Sequence, residues 1–307
     1  MVASVKVLVT GGTGQLATAL AEAMPGIGLA VQRVGRPAFD FDRPETLEAG
    51  FAAARPDLVV NAAAYTAVDA AESDAEAAYR ANRDGPARLA ALCAEAGARL
   101  VHVSTDYVFD GSKGEPYLET DPPSPTGVYG ASKLAGETAV LAALPSAVIL
   151  RTSWVYSPTG RNFVRTMLNA ARKTDRLRVV ADQRGCPTTA ADLAEAIIGI
   201  ARRLAGGEDI EGGVFHAAGS GWTTWHGLAC AVFEEAARHG APTPTVDPIR
   251  TEDWPTPARR PADSRLDCTK LERSFGLRLP DWRASLARTI DAIFSSEQES
   301  LNASNRV

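Results

Sequence analysis

Short apolar runs alternate with longer stretches rich in Ala and Leu through the first half of the chain. The apolar runs predict buried strands at residues 5–9, 29–31, 57–60, 100–103 and 147–150. The stretches between and after them predict helices at residues 15–24, 45–54, 67–82, 86–96 and 129–142. Strands that are apolar throughout and separated by helices are typical of a parallel sheet covered on both faces. The pattern therefore predicts an α/β fold with a doubly wound parallel sheet.

The pattern changes after about Leu150, where aromatic residues and turn signals become more frequent. Four of the five tryptophans lie beyond position 220, and prolines cluster at residues 255–261. We interpret this change as a smaller α/β domain interleaved with the first. The predicted division gives residues 1–155, joined by part of 180–218, to the first domain, residues 156–179 and 219–295 to the second, and residues 296–307 to a flexible tail.

Composition and charge narrow the class of protein. The 307 residues are 45% hydrophobic and carry a formal net charge of −5, which is typical of an ordinary globular chain. This modestly acidic balance argues against a nucleic-acid partner bound through a broad basic surface. No run approaches the ~20 apolar residues of a membrane-spanning helix. The four cysteines form no CxxC pair, so we expect a reducing, cytoplasmic location.

The motif TGGTGQLA follows the first predicted strand and opens the first predicted helix. Gly11 permits a tight turn, Gly14 lets a pyrophosphate approach the backbone, and the small Ala17 permits close packing of helix on strand. The start of the helix then offers free N–H groups and a positive dipole end to an anion. A structural turn is the alternative, but the strand–loop–helix context favours a Rossmann-type dinucleotide site.

The end of the second predicted strand is expected to contact the adenosine ribose of such a cofactor. An acidic residue there favours NAD, whereas an arginine pairs with the 2′-phosphate of NADP. The chain has Arg33 and Arg36 at this point, so the sequence favours NADP, with a solvated surface arginine as the alternative. Asp40 and Phe41 come next and suit a polar and an apolar contact with the adenine.

The sequence YGASK, from Tyr129 to Lys133, begins the helix predicted after the fourth strand. Residues four apart share one helix face, and an ammonium beside a phenol lowers the pKa of the phenol. Tyr129 is therefore predicted to exchange a proton with a substrate oxygen, while Lys133 lowers its pKa and donates to the nicotinamide ribose. A YxxxK pattern alone often arises by chance, but its place after a phosphate loop and a hydroxyl-bearing strand makes it more specific.

Hydroxyl and carboxyl groups follow the fourth predicted strand at Ser104, Thr105 and Asp106. This is the carboxyl edge of the sheet, where ligands bind in doubly wound folds. We predict that Thr105 hydrogen-bonds a carbonyl oxygen beside Tyr129 and that Asp106 holds a sugar hydroxyl. A strand-end turn is the alternative interpretation of Ser104 and Asp106.

Small residues follow the third predicted strand at Ala62, Ala63 and Ala64. Their size leaves room for a cofactor to cross the edge of the sheet. Asn82 lies within a predicted helix, where it is either structural or a support for Lys133 through a water.

Taken together, these motifs resemble the extended short-chain dehydrogenase/reductase family, and within it the dTDP-4-dehydrorhamnose reductases. The resemblance runs from Lys6 to about Trp282. The phosphate loop and YxxxK are shared by the whole superfamily. The narrower motifs are NAAAYTAVD at 61–69, STDYVF at 104–109, RTSWVY at 151–156, TWH at 224–226 and WPTPARRP at 254–261. The last of these is the most specific and decides the subfamily.

The resemblance implies a reaction and a set of site residues. NADPH, with NADH as the alternative, would reduce the 4-keto group of dTDP-4-dehydro-β-L-rhamnose to dTDP-L-rhamnose, a polysaccharide precursor. Tyr129 is implied as the proton donor, Lys133 as its partner and a ribose ligand, and Thr105 as the group that orients the ketone. The implied cofactor contacts are Gly14, Gln15 and Leu16 with the pyrophosphate, Asp40 and Phe41 with the adenine, and Ala64, Tyr65 and Thr66 along the nicotinamide path. The implied sugar contacts are Thr105, Asp106 and Trp154.

The second domain would then bind the sugar nucleotide. Arg259 and Arg260 suit its diphosphate, because a guanidinium group binds two phosphate oxygens at once. The alternative is that both are surface arginines with no ligand. Some relatives bind Mg²⁺ between subunits through carboxylates of the first helix. Here residues 17–20 carry none, and the first is Glu22, so we predict no metal and a monomer or homodimer.

Two alternative functions remain open from the sequence. Another nucleotide-sugar 4-reductase or an epimerase of the same family is disfavoured by Arg36 and by the WPTPARRP motif. A non-catalytic regulatory subunit that binds NADP would be expected to have a damaged catalytic set, whereas Thr105, Tyr129 and Lys133 are all present.

Overall fold

The structure, a computed structural model, describes residues 5–24, 28–208 and 210–304. Its strands are, in chain order, β1 (Val5–Thr10), β2 (Leu29–Arg33), β3 (Leu58–Asn61), β4 (Arg99–Thr105), β5 (Val148–Thr152), β6 (Val155–Tyr156), β7 (Arg176–Val180), β8 (Arg184–Gly185), β9 (Thr188–Thr189), β10 (Gly213–His216), β11 (Thr223–Thr224) and β12 (Thr245–Ile249). Its α-helices are α1 (Gln15–Ala23), α2 (Pro44–Ala54), α3 (Val68–Ala71), α4 (Ala75–Tyr79), α5 (Gly85–Ala96), α6 (Val128–Ala143), α7 (Phe163–Ala171), α8 (Ala190–Ala205), α9 (Trp225–Ala237), α10 (Thr269–Phe275) and α11 (Trp282–Ser304). Within these ranges, no helix is both long and apolar enough to cross a membrane.

The larger body is built on a six-stranded sheet with the order β10–β5–β4–β3–β1–β2. Every pairing in it is parallel, which confirms the predicted doubly wound fold. The strand order reverses at β1, which has β2 on one side and β3 on the other, and such a reversal opens a crevice at the carboxyl ends of the strands. At this edge Thr10 of β1 donates a hydrogen bond of 2.6 Å to Asn61 of β3.

Alternate residues of β1 face opposite sides of the sheet, each into a hydrophobic core. Val7 and Val9 pack with α1 and α8, whereas Leu8 packs with α2, α5 and α6. All three are buried, and burial of a side chain of this size contributes about 1.5–3 kcal/mol. Helices therefore cover the sheet on both faces, as its apolar strands require.

The second body has its own core between α7, α9 and α11. Val164, Leu228, Val232, Leu286 and Ile290 are among its buried residues, and the short parallel pair β7–β12 lies at its side. This is the smaller α/β unit that the change in sequence pattern predicts.

The division between the two bodies differs from the predicted one at α10. The predicted boundaries give this helix to the second domain, but Leu271 and Phe275 pack in the core of the large sheet. Phe275 meets Phe215 of β10 edge to face, with ring centroids 5.0 Å apart. We therefore propose that α10 belongs with the first domain. The two bodies are joined at α8, where Asp192 accepts hydrogen bonds from Ser285 and Arg288 of α11.

Two helical predictions are corrected by the structure. The helix predicted at 67–82 is interrupted between α3 and α4, because Asp74 accepts a hydrogen bond from Ala77 N–H and caps a new helix. That helix continues into α5 through a π-helical segment at Arg80–Asp84. The break expected between residues 82 and 86 is therefore not there.

The predicted flexible tail is also largely helical. The helix α11 continues to Ser304, and only residues 305–307 of the predicted tail lie outside the described residues. Two contacts of the second body hold this end: Glu297 accepts hydrogen bonds from Arg172 at 2.6 and 2.8 Å, and Phe294 stacks on His239.

Candidate active site

Both bodies contribute to one cavity of about 980 Å³. It extends from the start of α1, across the carboxyl ends of β1, β3, β4 and β5, to the start of α6. The predicted site residues that line it are Gly11, Gly14, Gln15, Leu16, Arg36, Asp40, Phe41, Ala63, Ala64, Thr66, Thr105, Asp106, Tyr129, Lys133 and Trp154. Tyr65, Arg259 and Arg260 are not part of this lining. Residues from many separate segments thus meet in one place.

The phosphate loop gives the cavity an anion-binding end. Gly11 has φ +106°, and a Cβ there would lie 2.9 Å from the carbonyl oxygen of Ala62, so only glycine fits the turn. Helix α1 begins after Gly14 with no side-chain cap and with no acidic residue in its first turn. Its first N–H groups and the positive end of its dipole therefore face the cavity and suit a phosphate.

Two arginines and one aspartate lie at the part of the cavity where the adenosine end of a dinucleotide is expected. Arg36 Nε lies 3.9 Å from Asp40 Oδ1, and the Arg36 side chain is 71% exposed, so this pair is loose and leaves the guanidinium accessible. Arg33 donates to the hydroxyl of Thr18 at 3.0 Å. Both arginines line the cavity, and Phe41 supplies the apolar surface beside them.

Helix α6 positions the predicted acid–base pair. Its first N–H, that of Val128, donates to the carboxylate of Glu72 at 2.8 Å, which is the favourable charge at a helix N-terminus. Tyr129 and Lys133 then lie one turn apart on the face toward the sheet. Lys133 Nζ donates to the carbonyl oxygen of Val103 on β4 at 2.7 Å. That bond fixes the ammonium at the carboxyl edge of the strand.

Burial controls the pKa values of this pair. It raises the pKa of Tyr129 to about 12, an effect that hydrogen bonding to Thr105 only partly offsets. It lowers the pKa of Lys133 to about 8, against the opposing charge of Glu137. The predicted lowering of the Tyr129 pKa by Lys133 is therefore wrong for this structure, because removing the phenolate from water costs more than its neighbours return. Tyr129 is held as a neutral phenol, which is the proton-donating form.

Thr105 and Asp106 form a buried cluster of hydroxyls around one carboxylate. Asp106 Oδ2 accepts from Ser264 at 2.5 Å and from Ser153 at 3.0 Å, and its Oδ1 lies 3.2 Å from the Thr105 hydroxyl. The backbone N–H of Tyr107 also donates to the Thr105 hydroxyl at 3.2 Å. Burial raises the pKa of Asp106 to about 6 despite these bonds. The cluster holds the Thr105 hydroxyl in a defined orientation beside Tyr129.

A second buried network lies behind the acid–base pair and was not predicted. Glu137, one turn after Lys133, accepts three hydrogen bonds from Arg151 of β5, the shortest at 2.6 Å. The same carboxylate accepts from Ser104 of β4 at 2.5 Å. The side chains of Glu137 and Arg151 are 3% and 4% exposed. This network joins α6 to the two strands that end at Thr105 and Thr152.

Asn82 has a structural role that explains the place of Tyr65. Its amide oxygen accepts from the backbone N–H of Tyr65 at 2.8 Å, and its amide nitrogen donates to the Tyr65 carbonyl oxygen at 3.1 Å. The same nitrogen donates to Ser132 of α6 at 3.0 Å. Asn82 therefore fixes the loop between the lining residues Ala64 and Thr66, although Tyr65 is itself outside the lining.

Two stacked indoles form the wall of the cavity that belongs to the second body. The rings of Trp154 and Trp225 lie 3.5 Å apart and 7° from parallel. Trp154 has the left-handed backbone angle φ +48°, and a Cβ at Gly185 would come within 2.3 Å of its ring. The ring is therefore fixed between Trp225 and the backbone of β8. The sequence pattern indicated TWH as a motif but assigned Trp225 no place in the cavity.

The two arginines predicted to bind diphosphate lie elsewhere. Arg260 is committed to Asp69, which accepts from both of its terminal nitrogens at 2.9 Å, and it also donates to Thr256 and to the carbonyl oxygen of Ala258. Arg259 is exposed and also outside the cavity lining. Direct phosphate binding by Arg260 is therefore disfavoured, because its donors already hold the WPTPARRP segment against α3.

Sequence reasoning also missed Arg161, which lines the cavity beside Gly160. It lies in the loop before α7, outside every motif that the sequence pattern indicated. The available signal was the Asn162 cap of α7, whose side chain accepts from Arg165 N–H at 3.1 Å. A cap predicts where a helix begins, but not that the residue before it reaches a cavity made by another part of the chain.

Comparison with known proteins places the chain among reductases of sugar nucleotides. The family described as RmlD substrate binding domain matches residues 5–295. A dTDP-4-dehydrorhamnose reductase of Sinorhizobium fredii is 48% identical over 290 residues, covering 94% of this chain and 97% of that protein.

Two solved structures are similar over nearly the whole chain. A dTDP-4-dehydrorhamnose reductase from Clostridium acetobutylicum superposes with a TM-score of 0.88 at 36% identity, covering 94% of this chain and 99% of that one. One from Bacillus anthracis, in complex with NADP, has a TM-score of 0.88 at 32% identity with the same coverage.

Proposed function

Because the chain belongs to the family of the RmlD substrate binding domain, we propose that it reduces the 4-keto group of dTDP-4-dehydro-β-L-rhamnose with NADPH to give dTDP-L-rhamnose. It is an oxidoreductase with a Rossmann-type fold. The observation that carries the proposal is the single cavity in which an uncapped helix N-terminus, Thr105, Tyr129 and Lys133 meet. Each of these groups is needed by a ketone reductase that uses a dinucleotide.

The cavity fits a dinucleotide. The uncapped start of α1 suits the pyrophosphate, and the turn at Gly11 brings the backbone close enough for contact. The exposed guanidinium of Arg36 suits the 2′-phosphate, and Phe41 suits the adenine. Lys133 is proposed to donate to the nicotinamide ribose. When bound, NADPH supplies the hydride for carbon 4 of the sugar.

The residues of the chain supply the proton and the orientation of the ketone. Tyr129, neutral because burial raises its pKa, donates its proton to the oxygen at carbon 4 as charge develops there. The Thr105 hydroxyl accepts from Tyr107 N–H and donates its one hydrogen to Asp106 in the structure. It would turn that hydrogen to the same substrate oxygen when the ketone binds. The oxygen of this donor is already held beside the site, so only the rotation of its hydroxyl hydrogen is needed before it stabilises that charge.

The sugar is proposed to lie against Trp154. An indole face presents apolar surface to the hydrogens of a pyranose ring, and Trp154 is held by Trp225 and Gly185. Asp106 has both carboxylate oxygens occupied by hydroxyl groups of the chain. We therefore propose that the main role of Asp106 is to orient Thr105, and that a contact with the sugar is secondary.

A single assay separates this function from its alternatives. Purified protein with NADPH and freshly made dTDP-4-dehydro-β-L-rhamnose is expected to oxidise one NADPH for each sugar reduced, followed by loss of nicotinamide absorbance. An epimerase would change the sugar without net NADPH consumption, and a regulatory subunit would bind NADPH without turnover. Either of those outcomes contradicts the proposal.

We also propose a reducing, cytoplasmic location and a monomeric or homodimeric state. The four free cysteines of the chain support the location. Light scattering on the purified protein tests the oligomeric state. Repeating it with a reductant tests whether the cysteines stay free: a reductant-dependent change in mass would argue for disulfide-linked subunits instead.

A further inference from the structure

A short segment of the second body lies directly over the phosphate loop of the first. This segment, Ser157–Asn162, is here called the strap. Gln15 Oε1, at the first residue of α1, accepts from Ser157 Oγ and from Asn162 Nδ2, both at 2.9 Å. A Cβ at Gly160 would lie 3.3 Å from Gln15 Cγ, so the strap backbone packs on the side chain that begins the helix.

The strap is held in shape by its own hydrogen bonds. Asn162 Nδ2 donates to the carbonyl oxygens of Ser157 at 2.9 Å and of Thr159 at 3.3 Å. Arg165 of α7 donates to the carbonyl oxygen of Pro158 at 2.7 Å. Gly160 makes the bend with φ +75°, where a side chain would be strained. The position of residue 161 is therefore fixed by the strap.

Arg161 projects from this fixed position as part of the cavity wall. The other basic groups of the wall have partners: Arg33 donates to Thr18, Arg36 lies near Asp40, and Lys133 donates to Val103. Among the described residues, Arg161 has no ion pair or side-chain hydrogen bond. An accessible guanidinium beside an uncapped helix N-terminus is a site for a phosphate group.

We propose that Arg161 is a cofactor-binding residue, which binds the pyrophosphate of the dinucleotide from the second body while α1 binds it from the first. The identity of the ligand rests on the function proposed above. To that function the proposal adds one binding residue and a way for the cofactor to connect the two bodies. Because the pyrophosphate would contact both bodies, a bound cofactor would hold them together across the cavity. It also gives the acidic chain a local cation at the cofactor pyrophosphate.

The test measures cofactor binding directly, by titrating the fluorescence of NADPH and of NADH in the absence of sugar substrate. Arg161→Gln is expected to raise both dissociation constants about tenfold, equal to ~1.4 kcal/mol, because both cofactors carry the pyrophosphate. Arg161→Lys is expected to have an intermediate effect, since an ammonium keeps the charge but loses the paired geometry. Arg36→Gln is expected to weaken NADPH alone, because only NADPH carries the 2′-phosphate.

Arg178→Gln is the matched control. It removes the same charge from an exposed position on β7 that is outside the cavity lining, and both dissociation constants should stay within twofold. Thermal midpoints of all variants check that the fold is intact. Arg161 is itself exposed, so its replacement should not unfold the protein.

Three results would overturn the proposal. Dissociation constants within twofold for Arg161→Gln would show that the residue does not bind the cofactor. A loss confined to NADPH would place Arg161 at the 2′-phosphate. An unchanged cofactor constant with a raised KM for the sugar nucleotide would assign it to the other diphosphate. A wild-type protein that binds NADPH without reducing the sugar would contradict the proposed function, while the binding data would still decide the role of Arg161.

Discussion

Tyr129 and Lys133 show how burial sets the protonation of a catalytic pair. Burial disfavours the charged form of each, so it raises the pKa of the phenol to about 12 and lowers that of the ammonium to about 8. Tyr129, the proposed proton donor of the reduction, therefore stays protonated throughout the physiological pH range. The group that titrates near neutrality is Lys133, whose positive charge is supported by Glu137.

Tyr129→Phe is expected to lower kcat by at least about 100-fold, because it removes the proton donor and leaves the ring in place. NADPH affinity should change little, which fluorescence titration measures. Tyr107→Phe is the comparison variant, since this neighbour contacts Tyr129 edge to face at 5.6 Å and lines the same cavity; it should lose much less activity, because the proton donor is kept. Near-normal turnover of Tyr129→Phe would refute the assigned role.

The pH dependence of kcat/KM is expected to fall as pH rises through about 8, where Lys133 loses its proton. Glu137→Gln should move this fall to lower pH, because the carboxylate raises the Lys133 pKa. The variant also leaves Arg151 buried without its partner, a change that typically costs 3–5 kcal/mol, so its thermal midpoint must be measured as well. Ser104→Ala removes a hydrogen bond to Glu137 but not its charge, and should leave the pH of the fall unchanged. A fall at the same pH in Glu137→Gln would contradict this assignment.

Asp106 is expected to lower stability at neutral pH in exchange for orienting Thr105. Its pKa is raised to about 6 by burial, so the cost of ionisation is present above pH ~6 and is lost as pH falls toward the ordinary value near 3.8. Asp106→Asn should therefore increase the free energy of unfolding at pH 8 by on the order of 1–3 kcal/mol, with a smaller gain below pH 6. Turnover should fall. Urea unfolding at both pH values measures the effect.

Asp110, whose pKa is shifted in the opposite direction from that of Asp106, provides a control for this prediction. Asp110 accepts hydrogen bonds from Ser112 and Tyr117, and its pKa is lowered, so Asp110→Asn should decrease stability at pH 8. Opposite signs for the two aspartates are expected if burial, rather than negative charge alone, determines the effect of Asp106 on stability. A destabilised Asp106→Asn at pH 8 would show that its hydrogen bonds outweigh the cost of burial.

At the scale of elements, α6 lies unusually close to its neighbours. A Cβ at Gly136 would come within 2.0 Å of the carbonyl oxygen of Asn82, and one at Gly130 within 2.1 Å of that of Tyr107. Both obstacles are backbone atoms, which cannot move aside as a side chain does. The two glycines therefore set the distance between the helix that carries Tyr129 and the backbone at Asn82 and Tyr107.

Gly136→Ala is expected to push α6 away from the π-helical segment, with a loss of about 1–3 kcal/mol in the free energy of unfolding. The displacement should also lower kcat, because the proton donor moves relative to Thr105. Thr138→Ala, on the exposed side of the same helix, is the matched control and should change neither quantity appreciably. Thermal unfolding and steady-state kinetics of the two variants test this; unchanged stability of Gly136→Ala would contradict the close contact.

The local pattern of apolar and polar residues predicted the strands and helices well. It did not predict which residues of distant segments contact each other. The strands β1, β3, β4 and β5 were found within two residues of their bounds, because apolar runs mark buried strands. The pairing of Arg260 with Asp69 could not be found in this way, since the two residues are 191 positions apart. The position of Arg161 in the cavity wall could not be predicted either, because it depends on contacts between the strap of the second body and Gln15, the first residue of α1.

At the scale of the whole molecule, the net charge of −5 contrasts with the anionic ligands. Long-range attraction cannot bring a polyanion to an acidic chain, and screening at physiological salt limits such fields to about 8 Å. Recognition therefore depends on local donors: the start of α1, Arg36 and the proposed Arg161. These belong to both bodies, so ligand binding is expected to be linked to the stability of the entire fold.

NADPH at 100 times its dissociation constant is expected to add about 2.7 kcal/mol to the free energy of unfolding, because it binds only the folded state. Both cores should unfold in one transition with and without it, since Asp192 of α8 is bonded to Arg288 of α11. Calorimetry tests both statements. At the same NADPH concentration, Arg161→Gln should gain less stability than the wild type; two separate transitions, with only one shifted by NADPH, would show that the bodies are not coupled.

The stacked pair of Trp154 and Trp225 has a consequence for observing the protein at work. Two indoles 3.5 Å apart and 7° from parallel are in direct contact, so a ligand that touches either ring changes the surroundings of both. Trp154 lines the cavity where the sugar is proposed to bind, and Trp225 is fixed by a hydrogen bond of 3.1 Å to Gln183. The arrival and departure of a sugar nucleotide should therefore be visible as a change in intrinsic fluorescence, an optical signal that needs no added label.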